Sequence, residues 1–192
     1  MPDIYGISES SYKNYSNLFS AVRNYFNSGL KIFQLRHSFE RNSISRENIE
    51  ELHEEARRNT AKLILNGVAS DVEYYTVNGI HLKSKELLKY DSRPISGDYI
   101  LGASCHNEVE LERAEKLSVN YAFISPVLVT KSHPDRTPLG WSNFKRLAEQ
   151  VNFPVYALGG MSFANLIKAK ENGAYGVAMI SSIKDLLLLE ET

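Results

Sequence analysis

Hydroxyl and imidazole side chains stand at the ends of two β-rich runs in the second half of the chain. Ser104 and His106 end one run, and Thr130, Ser132 and His133 follow the other. Hydroxyls donate and accept hydrogen bonds, and an imidazole near neutral pH can take up or release a proton. We predict that these residues line a ligand site, with His133 and His106 as candidates for a general acid or base. Two plainer interpretations stay open: hydroxyls that only form turns with the backbone, and histidines that only make structural hydrogen bonds.

Two other segments have the composition of a phosphate site. Gly159 and Gly160 end a third β-rich run, and Ile180 and Ser181 end a fourth. Glycines let backbone N–H groups approach an anion closely, and the N-terminus of a following helix carries partial positive charge. We predict that these residues bind phosphate. The alternative is that the glycine pair is only a tight turn between strand and helix.

A basic and an amide side chain occur near the N-terminus with the spacing of a strand. Gln34 and Arg36 alternate with the apolar Phe33 and Leu35, so both should point to the same side of the strand. Arg suits phosphate oxygens because its guanidinium can form two parallel hydrogen bonds. An ion pair between Arg36 and a carboxylate on a neighbouring strand is the structural alternative.

Eight β-rich runs alternate with helical patterns along the whole chain, which predicts a parallel sheet. Polar residues at most of the strand ends favour a (β/α)8 TIM barrel over an open doubly wound sheet, because barrel sites lie at that face. At 192 residues the chain is shorter than the roughly 250 typical of the fold. We therefore expect a compact barrel with short helices after strands three and four. The predicted strands are 4–8, 31–36, 62–67, 79–82, 99–105, 121–127, 155–158 and 176–180.

The composition is that of an ordinary globular domain, and we expect residues 1–192 to form one domain. The net charge is −1 and no basic block occurs, which argues against nucleic acid as a partner. No apolar run approaches the roughly 20 residues of a membrane span, so no membrane partner is expected. Cys105 is the single cysteine and no signal-peptide pattern opens the chain, so we expect a cytoplasmic protein.

Short motifs in order along the eight units resemble the thiamine phosphate synthase and TenI family. The resemblance covers nearly the whole chain and is closest to TenI-like domains that are often fused to a Nudix hydrolase. The matching pieces are Gln34-Leu35-Arg36, Asn66-Gly67, Gly79-Ile80-His81-Leu82, Gly102-Ala103-Ser104-Cys105-His106, Ser125-Pro126-Val127, Ser132-His133-Pro134, Pro138-Leu139-Gly140-Trp141, Ala157-Leu158-Gly159-Gly160-Met161 and Gly176-Val177-Ala178-Met179-Ile180-Ser181.

The resemblance implies a role for each predicted site residue. Gly160, Ile180 and Ser181 would hold the phosphate of a thiazole phosphate or of thiamine phosphate. Gln34 and Arg36 would contact the pyrimidine diphosphate of a synthase. The substrate-binding set also includes residues on the third and fifth strands and in the loop after the sixth, namely Asn66, Ser104, Thr130 and Ser132.

The chain departs from the synthase pattern where that pattern neutralises diphosphate. Ser38 and His133 stand where synthases have lysines, and Gly67 stands where they have a Mg²⁺ carboxylate. The second Mg²⁺ carboxylate aligns with Glu86, a longer acid. We expect Mg²⁺ as a cofactor only if the chain is an active synthase, and no other cofactor is implied.

Three functions remain open at this point. The first is a TenI-like protein that binds thiazole phosphate or thiamine phosphate and catalyses a proton shift with His133 or His106. The second is an active thiamine phosphate synthase, which joins pyrimidine diphosphate and thiazole phosphate and releases diphosphate. The third is a non-catalytic barrel that binds the ligand for a separate enzyme. The oligomeric state is also open, with a homodimer among the alternatives.

Overall fold

The computed structural model describes residues 1–9, 12, 14–36, 44–130 and 137–188. In these ranges the strands are β1 (Ile4–Ile7), β2 (Ile32–Leu35), β3 (Lys62–Asn66), β4 (Gly79–Leu82), β5 (Ile100–Cys105), β6 (Tyr121–Ile124), β7 (Val155–Leu158) and β8 (Gly176–Met179). The α-helices are α1 (Tyr15–Asn27), α2 (Arg46–Arg58), α3 (Asp71–Tyr74), α4 (Ser84–Leu87), α5 (Glu108–Lys116), α6 (Gly140–Ala148) and α7 (Leu166–Glu171). Two 3₁₀ helices span Phe163–Asn165 and Ser181–Leu188.

The strands close into a barrel in sequence order. Each strand pairs in parallel with the next, and β8 pairs with β1 through Tyr5 and Ala178. The (β/α)8 barrel is therefore confirmed and the open sheet is excluded. The helices after β3 and β4, α3 and α4, have four residues each, as the short chain predicts.

Local signals account for the helices that surround the barrel. In α1 the apolar residues Leu18, Val22 and Phe26 recur on one face, and that face is buried against the sheet. Helix α2 begins with a capping box in which the side chains of Ser45 and Asn48 bond each other's backbone N–H. Such signals act between neighbours in the chain, so the sequence alone can show them.

Strand β6 is shorter than its apolar run predicts. It ends at Ile124 instead of Val127, because Pro126 has no N–H to donate to a strand ladder. Beyond the proline, the N–H groups of Val127 and Leu128 donate to the carbonyl oxygens of Leu158 and Gly159, at 2.9 and 3.1 Å. The loop after β6 is thus held against the end of β7.

The sequence pattern at the end of the chain predicts a short helix at 185–190, and the last helix differs from that position. It is a 3₁₀ helix that begins directly after β8, at Ser181, and its residue Ile183 is buried in the core. Anchoring by Ile183 explains why the helix starts four residues earlier than its sequence pattern indicates.

Large aromatic side chains fill the centre of the barrel. Tyr5, Tyr121, Phe123 and Tyr156 are fully buried there, and the buried His81 stacks on Phe123 with ring centroids 4.4 Å apart. This layer closes the barrel from below, so any ligand must enter at the carboxyl ends of the strands. None of the helices in the described ranges is long and apolar enough to cross a membrane.

Candidate functional site

A cavity of about 550 Å³ opens at the carboxyl ends of the strands. Six of the residues predicted from the sequence line it together, and we call them the glycine half of the mouth: Arg36, Thr130, Gly159, Gly160, Ile180 and Ser181. Glu9, Val129, Leu158, Met161, Ser162, Ala178 and Ser182 complete the lining. The structure therefore brings the predicted phosphate loops, the strand-six loop and Arg36 to one place.

The glycine pair forms a turn that other residues could not form without strain. Gly159 and Gly160 have φ angles of 96° and 71°, in the left-handed region that favours glycine. A Cβ on Gly160 would lie 2.8 Å from both the Cβ of Leu128 and the carbonyl oxygen of Val129. The tight turn is thus real, and the same turn brings its backbone to the cavity wall. The two interpretations of the pair are compatible.

The loop after β8 reaches the cavity from the other side. The 3₁₀ helix begins there with Ser181, and the hydroxyl of Ser182 donates a 2.5 Å hydrogen bond to the carbonyl oxygen of Met161. This bond joins the loop after β8 to the loop after β7. Because the first N–H groups of a helix have no partner within it, the wall offers donors and partial positive charge.

Arg36 is the cationic side chain of the glycine half. Its Nε donates to the carbonyl oxygen of Ser8 at 3.2 Å, and its backbone N–H donates to the hydroxyl of Ser8 at 2.7 Å. The first contact orients the guanidinium through a neutral backbone oxygen. Arginine stays protonated in proteins, and its charge interacts with the carboxylate of Glu9, which lines the same cavity.

The other predicted residues lie on β2, β3 and the end of β5, and we call them the polar half: Gln34, Asn66, Ser104 and His106. Gln34 is 2% exposed, and its Nε2 donates to Oδ1 of Asn66 at 3.0 Å. Its Oε1 is buried and has no hydrogen-bond partner among the described residues. A buried amide oxygen without a partner is an acceptor that a ligand could satisfy.

Ser104 has a partner that reasoning from the sequence did not place in the site. Its hydroxyl lies 2.8 Å from Nε2 of His81, whose Nδ1 lies 3.1 Å from the hydroxyl of Tyr121. Burial lowers the pKa of His81 to about 3, so the imidazole is neutral at ordinary pH. The alternation of strand β4 could have indicated the inward direction of His81, since Ile80 and Leu82 belong to the outer core.

His106 is fixed through one ring nitrogen. Its Nδ1 lies 2.7 Å from the carbonyl oxygen of Ser125, which can only accept, so Nδ1 carries a proton. The backbone N–H of His106 donates to Oε2 of the buried Glu110 at 2.6 Å. In the neutral ring Nε2 then carries the lone pair. Cys105, next to His106, is buried on the opposite side of the strand, as its alternation predicts, and burial raises the pKa of its thiol.

Two predicted residues, Ser132 and His133, lie outside the described residues, as does Ser38. The role of His133 as an acid or base therefore stays a prediction.

The acids that follow β3 and β4, Asp71 and Glu86, are engaged in local contacts. A Cβ on Gly67 would overlap Oδ2 of Asp71, and this oxygen accepts from the N–H of Val68 at 2.6 Å. Glu86 forms an ion pair with Lys89 at 2.7 Å. Across the described ranges, no three His, Cys, Asp or Glu side chains meet in a way that could hold a metal ion. To hold Mg²⁺, Asp71 and Glu86 would have to give up these local contacts.

Comparisons with known proteins agree with the architecture. The family model described as thiamine monophosphate synthase matches residues 4–183. The chain is 31% identical over 188 residues to an Aquifex aeolicus protein named "Putative thiamine-phosphate synthase 2", covering 94% of this chain and 97% of that one. It is 27% identical to a thiamine-phosphate synthase of Pelotomaculum thermopropionicum, covering 94% and 84%.

A solved structure shares the fold. It is a thiamine phosphate pyrophosphorylase from Pyrococcus furiosus, with a TM-score of 0.76 at 20% identity over 96% of this chain and 91% of that chain. At this identity the likeness supports the barrel architecture and leaves the activity to other arguments.

Proposed function

Because this chain belongs to the thiamine monophosphate synthase family, we propose that it binds a phosphorylated thiazole or thiamine phosphate at the barrel mouth. The observation that carries the proposal is the cavity in which Gly159, Gly160, Ile180 and Ser181 meet Arg36. Its size, about 550 Å³, is within the range of small-molecule sites.

The glycine half supplies what a phosphate needs. Backbone N–H groups at the Gly159–Gly160 turn and at Ser181 can donate to its oxygens, and Arg36 can offset its charge. Thr130 adds a hydroxyl from the loop after β6. The phosphate would thus anchor the ligand and leave its ring facing the polar half.

We propose a TenI-like proton shift on the bound thiazole as the reaction, with His106 as the acid–base group. Its Nδ1–H is committed to the carbonyl oxygen of Ser125, so the Nε2 lone pair is the atom available to the substrate. Nε2 would take a proton from one position of the ring system and return it to another, with no net change in protons. His133 is the second candidate for this role.

An active thiamine phosphate synthase is the second candidate function. The names of the relatives favour it, and so does the buried acceptor of Gln34, which suits an N–H of a pyrimidine. The acids argue against it, because Asp71 and Glu86 have local partners where a Mg²⁺ would be needed for diphosphate. Mixing pyrimidine diphosphate, thiazole phosphate and Mg²⁺ tests it, and turnover of roughly 1 s⁻¹ or more would favour the synthase.

A serine-to-aspartate pair tests the phosphate site. Ser181→Asp places a negative charge at the start of a helix, where it favours the fold but repels a phosphate. We expect calorimetry to show a loss of affinity for thiazole phosphate of more than about 30-fold, equivalent to about 2 kcal/mol. Ser16→Asp is the matched control, an exposed first-turn residue of α1 that does not line the cavity. Equal affinity in the two variants would refute the assignment of the phosphate site.

A further inference from the structure

A chain of four hydrogen-bonding side chains runs from the closed centre of the barrel to its mouth. The hydroxyl of Tyr5 lies 2.5 Å from that of Tyr121, which lies 3.1 Å from Nδ1 of His81. Nε2 of His81 lies 2.8 Å from the hydroxyl of Ser104. Tyr5, Tyr121 and His81 are 0% exposed, whereas Ser104 is partly exposed at the end of β5. We call these four residues the buried column.

The column depends on a glycine at position 102. A Cβ on Gly102 would overlap the phenol ring and the hydroxyl of Tyr121, so only glycine leaves this place free. The ring of His81 stacks on both Tyr121 and Phe123, with centroids at 5.6 and 4.4 Å. The His81 ring is therefore held by packing as well as by hydrogen bonds.

Each member of the column carries one polar proton. Burial raises the pKa values of Tyr5 and Tyr121 and lowers that of His81 to about 3, so all three are neutral near pH 7. Four groups with one proton each form three hydrogen bonds, so one proton remains for a partner outside the column. It belongs to Tyr5 or Tyr121, in the closed centre, or to Ser104, at the mouth.

Burial decides between these positions. Among the described residues the hydroxyls of Tyr5 and Tyr121 have no hydrogen-bond partner outside the column, and both side chains are fully buried. A spare proton on either tyrosine would be a buried donor without an acceptor, which is costly. A spare proton on Ser104 can reach solvent or a ligand. The hydrogen bonds of the column are therefore donated in order from Tyr5 through Tyr121 and His81 to Ser104.

We propose that His81 is a positioning residue, held as the Nε2–H tautomer by the tyrosine pair, that makes Ser104 a hydrogen-bond donor at the mouth. Tyr5 donates to Tyr121, Tyr121 donates to Nδ1 of His81, and Nε2–H donates to Ser104. The hydroxyl proton of Ser104 then points to the ligand. The polar half would thus select a ligand with an acceptor lone pair at this point over one with an N–H. The inference depends on the proposed function only for the identity of the ligand.

The tautomer can be measured without any ligand. In ¹⁵N-labelled protein, long-range proton–nitrogen NMR should show His81 with a bare Nδ1 and a protonated Nε2, unchanged between pH 5 and pH 9. The chain has five histidines, and the imidazole signals that disappear in the spectrum of His81→Gln are those of His81. A proton on Nδ1 in the wild-type protein would overturn the proposal.

Two tyrosine variants test the link to binding, with thiamine phosphate as the probe. Tyr121→Phe removes the group that fixes the tautomer, so we expect mixed tautomers and an affinity lower by about threefold to tenfold, the value of one hydrogen bond. Tyr5→Phe is the matched control: Tyr121 must still donate to His81, so the tautomer and the affinity stay within about twofold of wild type.

The outcomes separate the two proposals. Tyr5→Phe and Tyr121→Phe could lose equal affinity, with each loss matching a loss of thermal stability. That result would mean that the column is only structural. If Tyr121→Phe does not fold, the test rests on two other results. These are the His81 tautomer in the wild-type protein and an unchanged His81 tautomer in Tyr5→Phe. If the wild-type protein binds no thiamine phosphate, the proposed function fails, while the NMR result still decides the direction of the column.

Discussion

The glycine half of the mouth is formed largely by backbone, whereas the polar half is formed by side chains that already bond to other groups. In the glycine half, the turn at Gly159–Gly160 and the helix start at Ser181 present main-chain groups and Arg36 adds charge. In the polar half, Gln34 bonds Asn66 and Ser104 bonds His81. Backbone donors suit an anion of any kind, while oriented side chains can distinguish one ring from another. The first half would therefore provide affinity and the second selectivity.

The largest effect is expected from the turn itself. Gly160→Ala places a side chain at a positive φ and against Leu128 and Val129. We therefore expect the affinity for thiazole phosphate to fall by at least about 100-fold, equivalent to about 2.7 kcal/mol. Gly29→Ala is the control, since Gly29 has a φ of 87° and nothing within 4 Å of its added Cβ. Both variants should lose about 1 kcal/mol of unfolding free energy from the φ alone.

Gly160→Ala should lose more stability than Gly29→Ala because of its extra contact, and only Gly160→Ala should lose binding. Full affinity in Gly160→Ala, measured by calorimetry, would show that the backbone of this turn does not face the ligand.

A smaller effect is expected from the cation of the glycine half. Arg36→Ala removes charged hydrogen bonds worth about 1.5–3 kcal/mol, so the affinity for thiazole phosphate should drop by about 10-fold to 100-fold. The affinity of Arg36→Lys should lie between those of the wild-type protein and Arg36→Ala, because lysine keeps the charge but lacks the planar guanidinium. The control is Arg57→Ala, an exposed residue of α2 paired with Glu54. A loss that is equal in both alanine variants would contradict a direct role for Arg36.

The smallest effect is expected from the acids beside the polar half. Gly67→Asp would restore the carboxylate of the synthase pattern, but its Cβ overlaps Asp71, which caps the N–H of Val68. We expect a loss of about 1–2 kcal/mol in unfolding free energy at pH 7, from crowding and from two adjacent negative charges. Gly67→Asn has the same shape without the charge and should lose less.

The pH dependence of Gly67→Asp follows from the sign of the interaction. Adjacent carboxylates raise each other's pKa in the folded state, so the charge part of the loss is absent below about pH 4 and appears as pH rises through that region. Denaturant unfolding of Gly67→Asp and Gly67→Asn at pH 3.5 and pH 7 measures it. An equal gap between the variants at both pH values would mean that the two carboxylates do not interact.

This crowding also bears on a repair of synthase activity by Ser38→Lys, Gly67→Asp and His133→Lys together. The resemblance to the synthases implies that these three replacements face the same diphosphate, but a Cβ at position 67 would overlap Asp71. A repaired synthase would therefore need Asp71 to turn away from Val68 as well.

Much of the fold could be predicted from residues that are close in the chain. The caps at Ser45 and Asn107 and the apolar face of α1 depend on contacts within one or two turns of helix. The glycine turn depends on φ angles that only glycine adopts readily, so its position was also visible in the sequence. Strand β6 and the last helix were exceptions: the apolar run of β6 continues beyond the proline that ends it, and the last helix begins earlier than its sequence pattern indicates.

The sequence by itself determined the eight alternating units, their order and the loops that face the mouth, because periodicity, caps and turns are properties of neighbouring residues. Only the tertiary structure decided which side chains meet: His81 with Ser104 and Tyr121, Gln34 with Asn66, and Asp71 in the space beside Gly67. Those pairs join residues up to 40 positions apart. Their contacts depend on the register and closure of the barrel, which no local pattern specifies.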